Sequence, residues 1–384
     1  MGNMDKNINS PARMIREIIV DRDCERLPLA RDICSRAPWA RVRSSEDRRE
    51  LEQMVPTEEG AQGYGERLNQ GKRLLHLTRN RGAFLKKCPA TREYRCCDYQ
   101  VINIGMNCPL DCTYCILQAY LNNPWLSFFV NTDEMMTELE PVLAKGEINR
   151  IGTGEFTDSL VLDRLTGLSR QLIETFRQHP GALLELKTKT VEIDRLLEVD
   201  PEGHCLVSWS LNAPEIMRSE ELRTAPLTNR LAAARRVAEN GYHLGFHFDP
   251  VILHPGWEEG YRETIGRLFA AVPAEKIVWI SIGAFRFLPQ LKKIATARFP
   301  GSNIYYEEFI TGLDNKCRYF RTLREELYRL VVDELKKYAH PETCIYFCME
   351  SDEIWQEVMG FTPEERGGVP AMLDAAAERA LGKN

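Results

Sequence analysis

From about residue 98 onward, apolar and polar positions fall into a regular rhythm. Short apolar runs at Tyr99–Ile104, Arg150–Thr153, Leu183–Lys189, Cys205–Leu211, Tyr242–Asp249 and Ile277–Gly283 have the length and side-chain content of strands. Longer amphipathic stretches separate them. Asp163–Gln178 repeats apolar residues at helical spacing through Leu165, Leu168, Leu172 and Ile173. Thr228–Asn240 does the same and stops at Gly241, a residue suited to a helix C-terminus. Near the end, Leu323, Leu327, Val331 and Leu335 form an i,i+4 core stripe. Strands alternating with helices predict an α/β fold with a parallel sheet. Six such units predict an open or partial (β/α)6 barrel.

Three strands depart from the expected pattern. A parallel strand covered on both sides should be apolar on both faces. Instead Glu185, Lys187 and Lys189 oppose Leu184 and Leu186. Ser208, Ser210 and Asn212 oppose Val207, Trp209 and Leu211, and His247 and Asp249 oppose Phe246 and Phe248. The polar residues cluster toward the strand C-termini, where parallel α/β folds place ligands. They predict one polar face lining a wet cavity.

Residues 1–95 lack this rhythm and read as an irregular N-terminal region, with one short strand at Ile18–Val20 and a glycine-rich loop at Thr57–Gly65. The basic run Arg79–Lys87 reads as a solvated turn, with a phosphate-contacting loop as the alternative. The expected division is an N-terminal region over 1–95, a barrel over 96–300 and an α/β extension over 301–384. The 384 residues are 43% hydrophobic, enough for a large core. The longest apolar runs, such as Ile277–Ile282, are too short to span a bilayer, and Met1 to Arg16 has no apolar signal core. A cytoplasmic location with no membrane partner is therefore expected. Net charge is −6, so any nucleic-acid contact must come from a local patch.

In a reducing compartment, twelve cysteines read as thiols or metal ligands. Three of them, Cys108, Cys112 and Cys115, fall at C-x3-C-x2-C spacing, with Pro109 and Asp111 keeping the segment out of a regular helix. Thiolates hold a [4Fe–4S] cube one per iron, so three ligands leave one iron open. Zinc with a fourth ligand such as Cys96, Cys97 or a histidine, and unligated buried thiols, are the other readings of the spacing. Cys344 and Cys348, flanked by Ile345 and Phe347, read as buried thiols, with a second metal site or redox pair as the alternative. Cys96-Cys97 can turn at most one thiol toward a cavity. Cys317-Arg-Tyr-Phe-Arg321 suits either surface packing or base stacking.

With Tyr114 just before the third cysteine, the cysteine loop resembles that of the radical S-adenosylmethionine (AdoMet) superfamily. Gly152-Thr-Gly154-Glu155, one βα unit later, looks like the superfamily's Gly-Gly-Glu motif. Cys115-Ile-Leu-Gln118, Ser210-Leu-Asn212-Ala213, Gly241-Tyr-His-Leu-Gly-Phe246 and His254-Pro-Gly-Trp257-Glu-Glu-Gly-Tyr261 are similar to stretches of the spore photoproduct lyase family, over roughly residues 90–350. The resemblance implies a partial barrel, a [4Fe–4S] cluster on Cys108, Cys112 and Cys115, and AdoMet cleaved to a 5′-deoxyadenosyl radical. It implies cofactor contacts from Tyr114, Glu155, Lys189 and Ser210, with Asn212 and Asp249 as further candidates. His247 and Arg286 are the substrate-side candidates. A flavodoxin- or ferredoxin-type reductant and DNA are the implied partners. Two positions differ from family members that repair the thymine photoproduct. Where those carry a hydrogen-returning cysteine on the second strand, this chain aligns Glu155. Where a tyrosine follows the third cluster cysteine, it has Ile116. A non-DNA substrate, or a non-catalytic Fe–S or zinc protein, remains the alternative.

Overall fold

The structure is a computed structural model that describes residues 10–56, 60–89, 91 and 93–383. The first nine residues of the polar N-terminal stretch and Thr57–Glu59 of the expected glycine-rich loop lie outside them. In chain order the strands are β1 (Glu17–Asp21), β2 (Arg41–Ser45), β3 (Leu74–Thr78), β4 (Leu85–Lys87), β5 (Gln100–Ile102), β6 (Gly105–Met106), β7 (Asp111–Cys112), β8 (Leu126–Phe129) and β9 (Asn149–Gly152). They continue with β10 (Ala182–Thr188), β11 (Cys205–Ser210), β12 (Glu221–Leu222), β13 (His243–Val251), β14 (Ile277–Ala284), β15 (Arg286–Phe287), β16 (Phe309–Thr311), β17 (Cys317–Tyr319) and β18 (Cys344–Phe347).

The larger sheet has the order β18-β14-β13-β11-β10-β9-β5-β4 and curls into a half-barrel. Neighbours from β5 to β18 pair in parallel, and β4 closes one edge antiparallel. All six predicted strands are present. β18 adds a seventh parallel strand, which settles Cys344 on a strand. Helices Leu168–Phe176, Leu227–Glu239, Trp257–Ala271 and Arg321–Lys336 lie between successive strands and supply the buried residues that cover them. Every residue of β11 and β14 is buried. Each apolar side chain so covered, Phe246 for example, stabilises the fold by roughly 1.5–3 kcal/mol. Leu327, Val331 and Leu335 of the predicted stripe are fully buried. The predicted Asp163–Gln178 helix is instead two pieces, Asp163–Thr166 and Leu168–Phe176, because Gly167 adopts φ +63°.

The N-terminal region corrects the sequence reading. It is not irregular: its β1, β2 and β3 join β8 and β6, which lie past residue 95, in a five-stranded sheet of order β2-β1-β3-β8-β6, in which β1, β2, β3 and β8 run parallel. Gly60–Gly71 is a helix rather than a loop, and Leu85–Lys87 of the basic run is an edge strand rather than a turn. The two sheets share one hydrophobic core, and β6 of the N-terminal sheet leads directly into the cysteine loop. At the C-terminal side, Arg150 of β9 pairs with Asp374 at 2.6 Å, tying helix Gly368–Ala380 to the barrel. Arg318 and Tyr319 are buried, with Arg318 on Asp314 at 2.7 Å, while Phe320 and Arg321 are exposed, so the Cys317–Arg321 stretch is part packing and part surface.

Candidate active site

The cysteine loop is fixed from several directions before any ligand is considered. Asn107 takes φ +70°; its Oδ1 accepts from the Cys108 backbone N–H at 3.0 Å and its Nδ2 donates to the Pro124 carbonyl at 3.0 Å. Lys72 and Arg298 hold the Asp111 carboxylate at 2.8 and 2.9 Å. Gln118 Nε2 donates to the carbonyls of Cys112 and Thr113 at 3.1 and 3.2 Å. β7 pairs with β12, which sets Glu221 opposite Cys112.

Cys108, Cys112 and Cys115 all line one cavity of about 490 Å³ at the C-terminal ends of the barrel strands. They are the only thiols among the described residues lining it. Burial pushes the Cys108 thiol up to about 12 and holds Cys112 well above the ordinary thiol range. Left alone, both stay neutral; a cation bound between them would take them as thiolates and release protons. This donor set fits a cluster held by three cysteines better than a four-ligand zinc ion. No fourth cysteine lines the cavity among the described residues, and the one lining histidine, His247, is already bonded to Glu185 at 2.9 Å.

Tyr114, Glu155, Lys189, Ser210, His247, Asp249 and Arg286 also line the cavity, so most of the predicted site residues converge. Asn212 does not. Its amide is fully committed to structure: Nδ2 donates to the Pro250 carbonyl at 2.8 Å, and Oδ1 accepts from the Ala213 N–H and the Tyr261 hydroxyl. β11 ends at Ser210, so the two-residue alternation that placed Asn212 on the polar face no longer applies. The same hydroxyl of Tyr261, from the Gly-Trp-Glu-Glu-Gly-Tyr run, receives the Ile252 N–H at 2.7 Å. That run is therefore a packing element behind the site. Cys96 and Cys97 do not line the cavity; both are free thiols, and their side chains interact with each other by hydrogen bonding. Cys348 lies 3.3 Å from Arg286, behind the lining.

The polar faces divide into two levels. At the lower level Glu185 accepts hydrogen bonds from Ser208, from His247 and, at 3.0 Å, from the Trp279 indole. Burial works against the Glu185 charge, but His247 and Ser208 outweigh it and hold the carboxyl far below the usual range. At the upper level Lys187, Lys189, Ser210 and Asp249 open onto the cavity. Burial opposes the Lys187 charge too, and Glu155 and Glu185 keep its ammonium above the ordinary lysine range. Asp249 pairs with Arg286 through two contacts of 3.2 Å, so the guanidinium sits on the cavity wall with a carboxylate partner.

Both glycines of the Gly152-Thr-Gly154 motif are required by close approach. A Cβ on Gly152 would fall 1.8 Å from the Tyr99 hydroxyl, and one on Gly154 would fall 2.9 Å from Lys187 Cβ. Sequence reasoning missed several supporting groups. Glu221 receives Tyr114 Oη–H, pairs with the buried Arg230 at 2.6 Å and lies 4.0 Å from Lys189, so it positions both the tyrosine and the lysine. Asp158 accepts the backbone N–H groups of Leu160, Val161 and Lys189 and the Thr188 hydroxyl, joining the Glu155 loop to the end of β10. Tyr120, one helical turn past Ile116, also lines the cavity. The one available signal was the run Thr157-Asp158-Ser159 directly after Glu155; nothing in the sequence marks Glu221.

Comparison with known proteins bears on the same stretch. The family model described as "Spore photoproduct lyase" matches residues 90–322. A spore photoproduct lyase of Bacillus subtilis is 30% identical over 212 residues, 54% of this chain and 62% of that relative's length. One of Clostridium acetobutylicum is 24% identical over 313 residues, 80% of this chain and 87% of the relative. A solved spore photoproduct lyase with bound AdoMet and dinucleoside spore photoproduct aligns over 87% of this chain and 98% of its own, with a TM-score of 0.77 at 22% identity, which shows a shared fold.

Proposed function

Because this chain belongs to the spore photoproduct lyase family, we propose that it is a radical AdoMet enzyme whose reaction takes place in the cavity at the barrel mouth. The observation that carries the reading is the convergence of Cys108, Cys112 and Cys115 with Glu155, Lys189 and Ser210 on that cavity, inside the family-matched stretch. When bound, a [4Fe–4S] cluster supplies the electron that cleaves AdoMet and so starts hydrogen abstraction from a substrate.

The chain's own residues would do the rest. Cys108, Cys112 and Cys115 hold the cluster. Glu155 accepts from the ammonium of AdoMet, and Lys189 and Ser210 donate to its oxygens. Tyr114, fixed by Glu221, packs beside the adenine. The buried lower level keeps water out from beneath. Arg286, with its charge offset by Asp249, faces the substrate side; His247 reaches the same cavity wall with its ring bonded to Glu185.

The substrate in this reading is a thymine photoproduct in DNA, with a small ferredoxin- or flavodoxin-type reductant and a cytoplasmic setting. Among the described residues no helix is long and apolar enough to cross a membrane. One observation favours a second reading, a substrate other than the photoproduct: no thiol apart from the three loop cysteines lines the cavity among the described residues, with Glu155 and Ile116 at the two departures.

Anaerobic reconstitution with iron and sulfide, reduction, and addition of AdoMet should yield 5′-deoxyadenosine. No 5′-deoxyadenosine from a reduced, iron-loaded protein would sink the enzyme reading. Adding dinucleoside spore photoproduct then separates the substrates: thymine dinucleoside formed in step with 5′-deoxyadenosine supports repair, and 5′-deoxyadenosine without it supports the second reading.

A further inference from the structure

A second cavity, of about 740 Å³, lies in the N-terminal sheet, away from the barrel mouth. Its position follows from topology. β1 pairs in parallel with β2 on one side and β3 on the other. The chain therefore leaves β1 in one direction and passes back over it to reach β3. Right-handed crossovers in opposite directions place their helices on opposite faces, and a crevice opens at the strand C-termini where the direction reverses. Asp21 ends β1, and His76 and Thr78 end β3. His76 lies 2.6 Å from the Asp21 carboxylate and Thr78 donates to it, so the two strands are tied together at the reversal point. All three residues line the cavity.

Four carboxylates and four guanidinium groups line this crevice, and they are not all paired with one another. Its acids are engaged: Asp23 with Arg79, Glu46 with Arg22, Asp47 with Arg49, and Asp21 as just described. Donors are left over. Arg48 lies over the Trp125 ring at 5.4 Å and makes no ion pair among the described residues; Arg81 makes none either, though its charge helps hold the Asp21 carboxylate ionised. Asn80 Nδ2 is buried and finds no acceptor. A cavity with surplus donors, two of them guanidinium groups, selects a ligand rich in acceptors and negative charge, for which phosphate is the best geometric match to arginine. The volume is that of a nucleotide-sized molecule.

We propose that this crevice is a second binding site, for a phosphate-bearing ligand of nucleotide size, with Arg48 and Arg81 on the phosphate and Asn80 supplying a further donor. It stands independently of the reading of the barrel.

Calorimetric titration of the full chain with inorganic phosphate, uridine 5′-monophosphate and a 5′-phosphorylated thymidine dinucleotide tests it. The nucleotide should bind more tightly than inorganic phosphate, and an Arg48→Ala/Arg81→Ala variant should bind it at least about tenfold more weakly. Both arginines are exposed, so the variant should melt like the parent. Binding of the dinucleotide alone, lost in the variant, also supports the site and assigns its phosphate to a nucleic-acid strand. Absence of binding by all three probes, or equal binding by parent and variant, overturns the proposal.

Discussion

The two levels of the barrel's polar face are built from the same strands, two residues apart, and have opposite characters. Glu185 and Ser208 are neighbours of Lys187 and Ser210 along β10 and β11. The lower pair closes on itself with His247 and Trp279 and leaves Glu185 with three donors. The upper pair faces open space beside three cysteines. Polarity on a strand face therefore does not mark function by itself. What separates structure from site is whether the groups satisfy one another. A closed network specifies the fold, and groups left facing a cavity are available to a ligand.

The sharpest way to break this comparison is at the open level. A Cys112→Ala variant should lose the absorbance and bound iron of the reconstituted protein entirely, while its far-UV circular dichroism stays that of the parent. Next is the closed level: Glu185→Ala strands His247 and Trp279 without their acceptor and should destabilise the fold by about 3 kcal/mol in denaturant titration. Lys189→Ala should do the converse, weakening AdoMet binding by roughly tenfold to a hundredfold while stability moves by less than about 1 kcal/mol. If Lys189→Ala unfolds the protein or Glu185→Ala leaves it stable, the two levels are not distinct.

The smallest effect is in pH. The folded Glu185 carboxyl titrates below its ordinary range, so the unfolded chain binds that proton more readily. Its stabilising contribution is present above the ordinary carboxylate range and is lost as pH falls through it. Melting temperature should hold from neutral pH down to the ordinary carboxylate range and drop as pH falls below about 4, and the drop should be shallower in Glu185→Gln.

How much of this was legible depended on what kind of pattern carried it. The barrel strands were readable because a covered parallel strand is a short apolar run. Their polar faces were readable because alternation by two is strict while the strand lasts. Asn212 shows where that stops: two residues past the end of β11 the parity still looks right, but the chain has turned away. The N-terminal sheet was missed for a different reason. Four of the five residues of β2 are exposed and two are arginines, so the strand has no apolar signature and exists through its pairing with β1. The cysteine loop was legible from spacing, while its supports were not. Lys72, Arg298 and Glu221 come from three distant segments, and only the folded chain shows that they meet around Asp111 and Tyr114.

The cysteine loop hangs from β6, a strand of the other sheet, and is gripped by Lys72, which follows the helix Gly60–Gly71. The segment that gives the chain its reactive character is thus moored to a part that contributes little to the cavity wall. A version trimmed to the barrel would keep every cavity-lining cysteine and lose the mooring. It should take up iron slowly and shed it readily, as a gate does when one hinge post is removed.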